Sequence, residues 1–429
     1  MGRPQKVLET VFRYLEAHPT RHRWAQDMIE SLSRRGELGD EEITLLETYA
    51  REAENPAVLR LVADALVFAG HPDRAAGWLL EADQKSDARG RLLLPLADIL
   101  LHRGAPEVAL AVVDTVLQLS PPKALAEEAR FQRAQLLVEL QRWEEAVTAY
   151  EDLAERHPQG RMAHRALMEE AQILRRQLGS PERARDVYGR LEQLLDRGGS
   201  DPVTARLMDQ ARLGMAECDL YEGNWAEAES TLTRLAEASS TRETREQAAY
   251  LIAEARLFHG DYPGAEAGYF AVVDSFPGGT WVNDALQRVL FLQEHAFAGA
   301  GELGGVVQVL LERWRARPDS ALALAESLLA RDPGLELQDD LLYQTVLCRV
   351  ELEDYEAAAG TVRSWPDTLA DSRLAPRALA AVAEALSREP AHVETAMELF
   401  EELLLRYPES YESRRARPRL TELRRSGSS

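Results

Sequence analysis

One alanine recurs along this chain at the interval that a single helical hairpin would occupy. Successive copies are 34, 37, 38, 44, 37, 56, 37 and 38 residues apart, by difference of their residue numbers. The series is Ala75, Ala109, Ala146, Ala184, Ala228, Ala265, Ala321, Ala358 and Ala396. In five copies a proline follows twelve residues later, at Pro121, Pro158, Pro277, Pro333 and Pro408. Because proline ends a helix, this spacing predicts short helices that bury their apolar faces only against copies of themselves.

The copy in residues 141–160 shows the pattern most fully. Ala146, Tyr150 and Ala154 fall four apart, on one stripe of a helix, and Pro158 ends that helix. Most copies begin with an aromatic residue or a proline shortly before the alanine. These are Trp143, Trp225, Tyr262 and Tyr355, or Pro72, Pro106 and Pro181. Two weaker copies come first, with Val7 and Thr44 in the alanine position and Pro19 and Pro56 twelve residues later.

The layout resembles the tetratricopeptide repeat (TPR) family over roughly residues 4–424, since that family has a helix–turn–helix unit with small residues on both helices. The small residue of the first helix is present at Ala63, Ala97, Ala134, Ala216 and Ala253. The resemblance implies an all-α fold, a right-handed α-solenoid of about ten TPR-like helical hairpins. A generic helical bundle does not explain the constant alanine-to-proline spacing. HEAT-type repeats, which tolerate intervals of this length, remain a minor alternative.

The interval of 56 residues between Ala265 and Ala321 is the largest irregularity. It contains the glycine-rich stretch AFAGAGELGG, which allows backbone freedom. We therefore expect an N-terminal TPR-like array over residues 1–297, a hinge loop over residues 298–305, and a C-terminal array with a basic capping helix over residues 306–429. The same stretch matches G-x-G-x-x-G from Gly299 to Gly304. A dinucleotide site is not expected there, because no strand pattern precedes it.

No catalytic, cofactor or metal site is predicted from the sequence. The chain has no Walker loop, no H-E-x-x-H, no C-x-x-C and no G-x-S-x-G, and its repeats leave no room for a catalytic domain. The formal net charge of −22 argues against a nucleic-acid partner and favours partners that carry basic residues. The sequence shows no signal peptide and no membrane span, which favours a cytoplasmic location. The alternative is a periplasmic location, if a leader was removed.

The predicted interaction surface is a groove lined by the first helix of each pair. The position after the first-helix small residue carries an acid or amide, and aromatics lie close to it. The predicted partner-binding residues are Asp64, Asp98, Phe131, Gln135, Glu217, Tyr250, Glu254 and Tyr343. We expect an acidic groove with aromatic platforms that takes a protein or peptide segment bearing basic residues. A solvated acidic face with no binding role is the competing interpretation.

The function predicted from the sequence is a non-enzymatic scaffold for protein–protein interaction. Segments such as DSFPGGTWVNDAL are similar to turns of bacterial envelope TPR proteins, which implies an envelope-assembly or cell-division factor as the alternative. An enzyme of unknown type is the third hypothesis. The C-terminal segment is basic, with Arg414, Arg415, Arg417, Arg419, Arg424 and Arg425. It is interpreted first as a polar cap, and second as a tail through which two copies self-associate.

Overall fold

The computed structural model describes residues 3–158, 160–198, 201–297, 299–331 and 335–426. Within these ranges the regular structure consists of 23 α-helices and three short 3-10 helices, and contains no strand. Most successive helices pack against each other, so that one hairpin follows the next along the chain. The predicted all-α fold of stacked helical hairpins is confirmed.

The chain divides into two compact units, Met1–Ser200 (unit 1) and Asp201–Ser429 (unit 2). The helices of unit 1 are α1 (Arg3–Ala17), α2 (His22–Arg34), α3 (Asp40–Glu52), α4 (Pro56–Phe68), α5 (Pro72–Ser86), α6 (Leu94–His102), α7 (Pro106–Gln118), α8 (Lys123–Glu139), α9 (Trp143–Arg156), α10 (Arg161–Arg176) and α11 (Pro181–Gly198). A 3-10 helix, Pro19–Arg21, joins α1 to α2. The hairpins of this unit include α4/α5, α6/α7, α8/α9 and α10/α11.

Unit 2 continues the same arrangement. Its helices are α12 (Pro202–Glu222), α13 (Trp225–Ala238), α14 (Arg242–His259), α15 (Tyr262–Ser275), α16 (Val282–Glu294), α17 (Ala300–Trp314), α18 (Pro318–Leu329), α19 (Leu335–Glu351), α20 (Tyr355–Arg363), α21 (Leu374–Leu386), α22 (Val393–Arg406) and α23 (Tyr411–Ser426). The 3-10 helices Asp367–Leu369 and Pro390–His392 lie in the connections on either side of α21. The hairpins are α12/α13, α14/α15, α17/α18, α19/α20 and α21/α22.

The recurring alanines lie where the helices touch. All nine alanines of the series have no exposed surface, and the five first-helix alanines are at most 1% exposed. A methyl group at these contacts lets two helices approach closely, whereas any larger side chain would separate them. The predicted starts of the second helices are also confirmed, because α5, α7 and α11 begin at proline and α9, α13, α15 and α20 begin at Trp or Tyr. Pro333 lies outside the described residues.

The two weaker copies were aligned wrongly. Thr44 is exposed and Val7 is only half-buried, whereas their neighbours Ile43 and Leu8 are buried. The core position of these helices is therefore one residue away from the predicted one. A large apolar side chain fills it instead of alanine, so the alanine spacing could not locate it.

The glycine-rich stretch is helical where a hinge loop was expected. Helix α17 begins at Ala300, so residues 300–305 are not a loop, while residue 298 lies outside the described part of the chain. Leu303, Val306 and Val309 belong to the same apolar core as Val289 of α16 and Val272 of α15. Packing against this core outweighs the low helix propensity of glycine. The boundary between the two compact units falls between residues 200 and 201 of the chain, whereas the boundary between the two arrays was expected at residues 298–305. Movement at residues 298–305 stays a prediction.

Helix α17 folds back onto earlier hairpins of unit 2. The ring of Trp314 lies 6.0 Å from that of Phe258 at the end of α14. The Nε atom of Arg317 donates a hydrogen bond to the Tyr221 hydroxyl at the end of α12, over 3.0 Å. The α17/α18 hairpin thus contacts α12 and α14. The interval between Ala265 and Ala321 is long because it contains the additional helix α16 as well as α17.

Helix α23 covers the last hairpin of unit 2. Ala416, Leu420 and Leu423 are buried in the core formed with α21 and α22, while Arg414 and Arg415 are exposed. This arrangement agrees with the expected polar cap. Self-association through the arginines stays a prediction. Among the described residues, no helix has the length and apolar character that crossing a bilayer requires.

Candidate partner-binding grooves

Five of the eight residues predicted to bind a partner line two grooves, one in each unit. Asp98, Phe131 and Gln135 line the first, which we call the unit 1 groove. Tyr250 and Tyr343 line the second, the unit 2 groove. The first helices of the hairpins provide most of the lining of both grooves, and the binding of a partner there stays a prediction.

The unit 1 groove is formed by α6, α8 and α10 together with the turn before α6, and encloses about 470 Å³. Its lining residues are Arg91, Leu94, Pro95, Asp98, Leu125, Glu128, Phe131, Gln132, Gln135, Met162 and Arg165. Phe131 is only 4% exposed, because it packs at 5.6 Å on Tyr150 and lies under the guanidinium of Arg165. The exposed aromatic platform expected here is therefore a ring capped by a cation.

Asp98 and Gln135 are both exposed in the unit 1 groove. The Asp98 carboxylate accepts a hydrogen bond from Gln132 Nε2 over 2.5 Å, which fixes its orientation. Two carboxylates and two guanidiniums line this groove together with the apolar side chains of Leu94, Leu125 and Met162. The surface is mixed in charge rather than acidic.

The unit 2 groove encloses about 330 Å³ and is formed by the first helices α14, α17, α19 and α21 together with α16, which lies along the chain between the α14/α15 and α17/α18 hairpins. Its lining residues are Tyr250, Asp284, Gln287, Arg288, Phe291, Leu310, Arg313, Trp314, Asp340, Tyr343, Gln344, Leu347, Arg373, Leu374 and Arg377. Four of these residues are arginines and two are carboxylates. The groove that was expected to be acidic is thus lined chiefly by hydrogen-bond donors.

A buried polar network lies beneath the unit 2 groove. Glu254 has no exposed surface, and its two oxygens accept hydrogen bonds from Arg288 over 2.8 and 3.0 Å. The Tyr269 hydroxyl donates a short hydrogen bond to the same carboxylate. Burial, followed by the charge of Glu254, raises the pKa values of Tyr269 and Tyr250. These hydrogen bonds compensate for the cost of burying the charge of Glu254 in surroundings of low dielectric constant.

A second set of polar contacts ties α16 to α19 and α21. The Nε2 atom of His295 lies 2.7 Å from Oδ2 of Asp340, and both residues are buried. Glu294, the residue before His295, receives two hydrogen bonds from Arg373 over 2.7 and 2.5 Å. The hydrogen bonds to Arg373 are also the main cause that lowers the pKa of Glu294. These contacts position the far wall of the unit 2 groove, where Asp340 and Arg373 lie.

Three predicted acids do not line either groove. Glu254 was wrongly predicted as an exposed contact, because its charge is buried and paired with Arg288, 34 residues away. Asp64 faces His22, with 3.2 Å between Oδ2 and Nε2. Glu217 accepts a hydrogen bond from Gln247 over 3.4 Å. The pattern of first helices selected five residues that line the grooves, but it could not show which acids neighbouring helices neutralise.

Sequence reasoning missed the arginines of the unit 2 groove. Arg288 lies on α16, Arg313 lies on α17, and Arg373 and Arg377 lie at the start of α21, so the set comes from three separate parts of the chain and follows no common repeat position. Within the described ranges, no cluster of three or more His, Cys, Asp or Glu residues could hold a metal ion. The two cysteines are buried, and burial raises the pKa of Cys348 to about 11, as expected of a thiol packed among apolar groups.

Comparison with known proteins identifies the repeats. The family model for the tetratricopeptide repeat matches residues 44–124 and 131–206. The search of curated proteins found no match. Among solved structures, a tetratricopeptide repeat protein from Parabacteroides merdae is 12% identical, with 74% of this chain and 99% of that chain covered and a TM-score of 0.39. A Rap protein complexed with competence and sporulation factor is 15% identical, covers 84% of this chain and 98% of its own, and has a TM-score of 0.36.

Proposed function

We propose that this chain, whose residues 44–124 and 131–206 match the tetratricopeptide repeat family, is a non-catalytic scaffold that holds a segment of a partner protein against its first helices. Helical-repeat arrays present such faces as extended binding surfaces. A partner segment in extended or helical form would lie across several hairpins and contact one or two side chains of each.

The observation that carries this proposal is the position of the two grooves. Each lies on first helices of neighbouring hairpins, and each combines apolar side chains with exposed polar ones. Interfaces of this composition, with an apolar centre and a polar surround, are typical of protein recognition. Five residues selected from the sequence for this role lie in the grooves, although the sequence did not reveal their shape.

The unit 1 groove indicates what kind of segment it takes. Leu94, Leu125 and Met162 provide an apolar floor, and the charges of both signs around it include Arg165 and Glu128. An amphipathic segment with apolar anchors and mixed charges would satisfy this surface. Basic residues in the partner, as the sequence suggested, would meet Asp98 and Glu128.

A photo-crosslinking amino acid placed at Gln135 tests the proposal. Gln135 is exposed in the unit 1 groove, and Gln84 on the second helix α5 is an exposed control of the same residue type. After irradiation in an extract of the source cell, we expect a discrete crosslinked protein with Gln135 and none with Gln84. Adding Leu125→Glu to the Gln135 variant places a charge on the apolar floor, so the crosslinked product should fall by at least about tenfold.

The two controls separate the outcomes. Equal crosslinking from Gln84, or a product that Leu125→Glu leaves unchanged, would show that capture does not occur in the groove. Circular dichroism of each variant checks that the helices remain folded.

A further inference from the structure

The unit 2 groove has a charge pattern opposite to that of the whole chain. The formal net charge of the protein is −22, yet four guanidiniums and two carboxylates line this groove. The acids that pair with the arginines, such as Glu254, Glu294 and Glu412, are not among the lining residues. The donors therefore face the groove, while the carboxylates that orient them lie behind or beside it.

Two of the four arginines are structural. Arg288 is committed to Glu254 by two hydrogen bonds, and Arg373 is committed to Glu294 by two more. Each pair has the two-point geometry in which a guanidinium and a carboxylate satisfy each other. These residues shape the groove and contribute little free donor capacity.

The other two arginines retain donors. The nearest carboxylate oxygen to Arg377 belongs to Glu412 and lies 3.6 Å from Nε, which is beyond hydrogen-bond distance. Arg313 donates to Gln344 over 2.6 Å and to Glu351, but its Nε is shielded from water and has no acceptor among the described residues. The side chain of Arg377 is 31% exposed and that of Arg313 is 22% exposed, and both residues line the groove.

The carboxylates that line the groove are weak competitors for these donors. Oδ2 of Asp340 lies 2.7 Å from Nε2 of His295, so this oxygen already has a partner. Burial raises the pKa of Asp284, although the nearby Arg288 acts in the opposite direction. Neither acid forms an ion pair with Arg313 or Arg377 within the described part of the chain.

Apolar side chains complete the groove beside the two guanidiniums. Trp314 and Leu310 come from α17, Tyr343 and Leu347 from α19, and Leu374 from α21. A group that fits must therefore present an anionic end to the arginines and an apolar body to these walls.

We propose that the unit 2 groove binds an acidic side chain of a partner segment, an Asp or Glu that lies next to an aromatic or aliphatic residue, with Arg313 and Arg377 as the residues that recognise the carboxylate. This inference rests on the proposed scaffold function and names the partner chemistry of one groove. It also reverses the basic partner that the sequence suggested for this part of the chain.

Fluorescence anisotropy with the full chain and defined peptides tests the inference. The first probe is a labelled, N-acetylated and C-amidated ten-residue peptide with a central Glu-Leu-Glu-Phe unit in a Gly/Ser background. The matched probes replace both Glu residues by Gln or by Lys. We expect the Glu peptide to bind saturably, the Gln peptide to bind at least about tenfold more weakly, and the Lys peptide more weakly still.

Variants assign the binding to the groove. Arg377→Gln should weaken binding of the Glu peptide by about tenfold or more and leave the Gln peptide unaffected. Arg363→Gln is the matched control, because Arg363 lies outside the groove on α20, is 48% exposed and forms one ion pair with Glu398 over 2.9 Å. It removes the same charge and should leave the affinity unchanged. Equal urea midpoints for the two variants confirm that both are folded.

Two further probes test whether the groove recognises the carboxylate of a side chain, of a chain terminus or of a small molecule. A Gln peptide with a free C-terminus presents only a terminal carboxylate, and succinate presents a small dicarboxylate. Recovery of full affinity by the free C-terminus, or displacement of the Glu peptide by micromolar succinate, would overturn the assignment to an acidic side chain.

The inference is also overturned if the Glu peptide fails to bind at millimolar concentration, if the Lys peptide binds as tightly, or if Arg377→Gln has no effect. These results would not contradict the scaffold proposal if the Gln135 variant gives the expected crosslinked product. Absence of that product, with the Glu peptide bound, would instead contradict the scaffold proposal for unit 1.

Discussion

At the scale of single residues, the buried carboxyl of Glu170 is the clearest source of pH dependence. Glu170 lies on α10, is 3% exposed, and has one oxygen shielded from water without a hydrogen-bond partner in the described chain. Burial, and then the charge of Glu151, raise its pKa from 4.5 to about 7. Because the folded pKa is the higher one, its contribution to stability is fully present below about pH 4.5 and is lost as the pH rises through 7.

We therefore predict that Glu170→Gln removes this pH dependence. The effect of the substitution on the free energy of unfolding should be more favourable at pH 8 than at pH 4, by at most about 3 kcal/mol. The size of the pKa shift sets this limit. Urea unfolding across this pH range measures the difference. Glu169→Gln removes the same charge from the half-buried neighbouring residue, and equal effects of the two substitutions would show that net charge, not burial, is responsible.

At the scale of helices, α17 shows how packing decides a segment whose local sequence favours a loop. Gly301 lies in the first turn of α17, is exposed, and an added methyl group would meet no atom within 4 Å. At Gly305 the same methyl group would lie 3.1 Å from the Leu328 side chain of α18. We predict that Gly301→Ala raises the free energy of unfolding by about 0.5–1 kcal/mol.

Gly305→Ala is the control for the helix prediction. It offers the same gain in helix propensity, but the contact with Leu328 should offset that gain. Thermal unfolding monitored by circular dichroism measures both variants. If Gly301→Ala destabilises the chain, the segment needs the conformational freedom of glycine, and the hinge predicted from the sequence regains support.

The helical pattern could be predicted because its physical cause is local. A recurring alanine at helix contacts, followed in five copies by a proline twelve residues later, leaves a periodic trace, and Ala146 and Ala265 are indeed completely buried. The state of the acids could not be predicted, because burial of Glu254 depends on Arg288 in another hairpin. The placement of the five groove residues on first helices followed from the periodicity for the same local reason, whereas the convergence of Arg313 and Arg377 depends on how α17 and α21 each pack against α19.

At the scale of the whole molecule, the two units differ from the two predicted arrays, and this difference can be tested by cutting the chain. In an array of hairpins each helix is stabilised chiefly by its neighbours, so a piece folds if its cut does not expose a core. Unit 2 begins before α12, whose Leu213, Ala216 and Leu220 share a buried cluster with Ala228 and Leu232 of α13. A piece that starts at residue 201 keeps this cluster intact, whereas one that starts at residue 225 removes α12 and uncovers α13.

We predict that the fragment of residues 201–429 folds alone, with a single cooperative transition in urea. The slope of its free energy of unfolding against urea concentration should be about half that of an equally cooperative full chain, since the fragment exposes about half the surface on unfolding. The fragment of residues 225–429 should be less stable by more than about 3 kcal/mol, because three buried side chains of α12 and the contact between Tyr221 and Arg317 are lost. Circular dichroism and intrinsic tryptophan fluorescence follow both transitions. If both fragments unfold at the same urea concentration, α12 is not the first helix of the unit, and the boundary must be sought elsewhere in the chain.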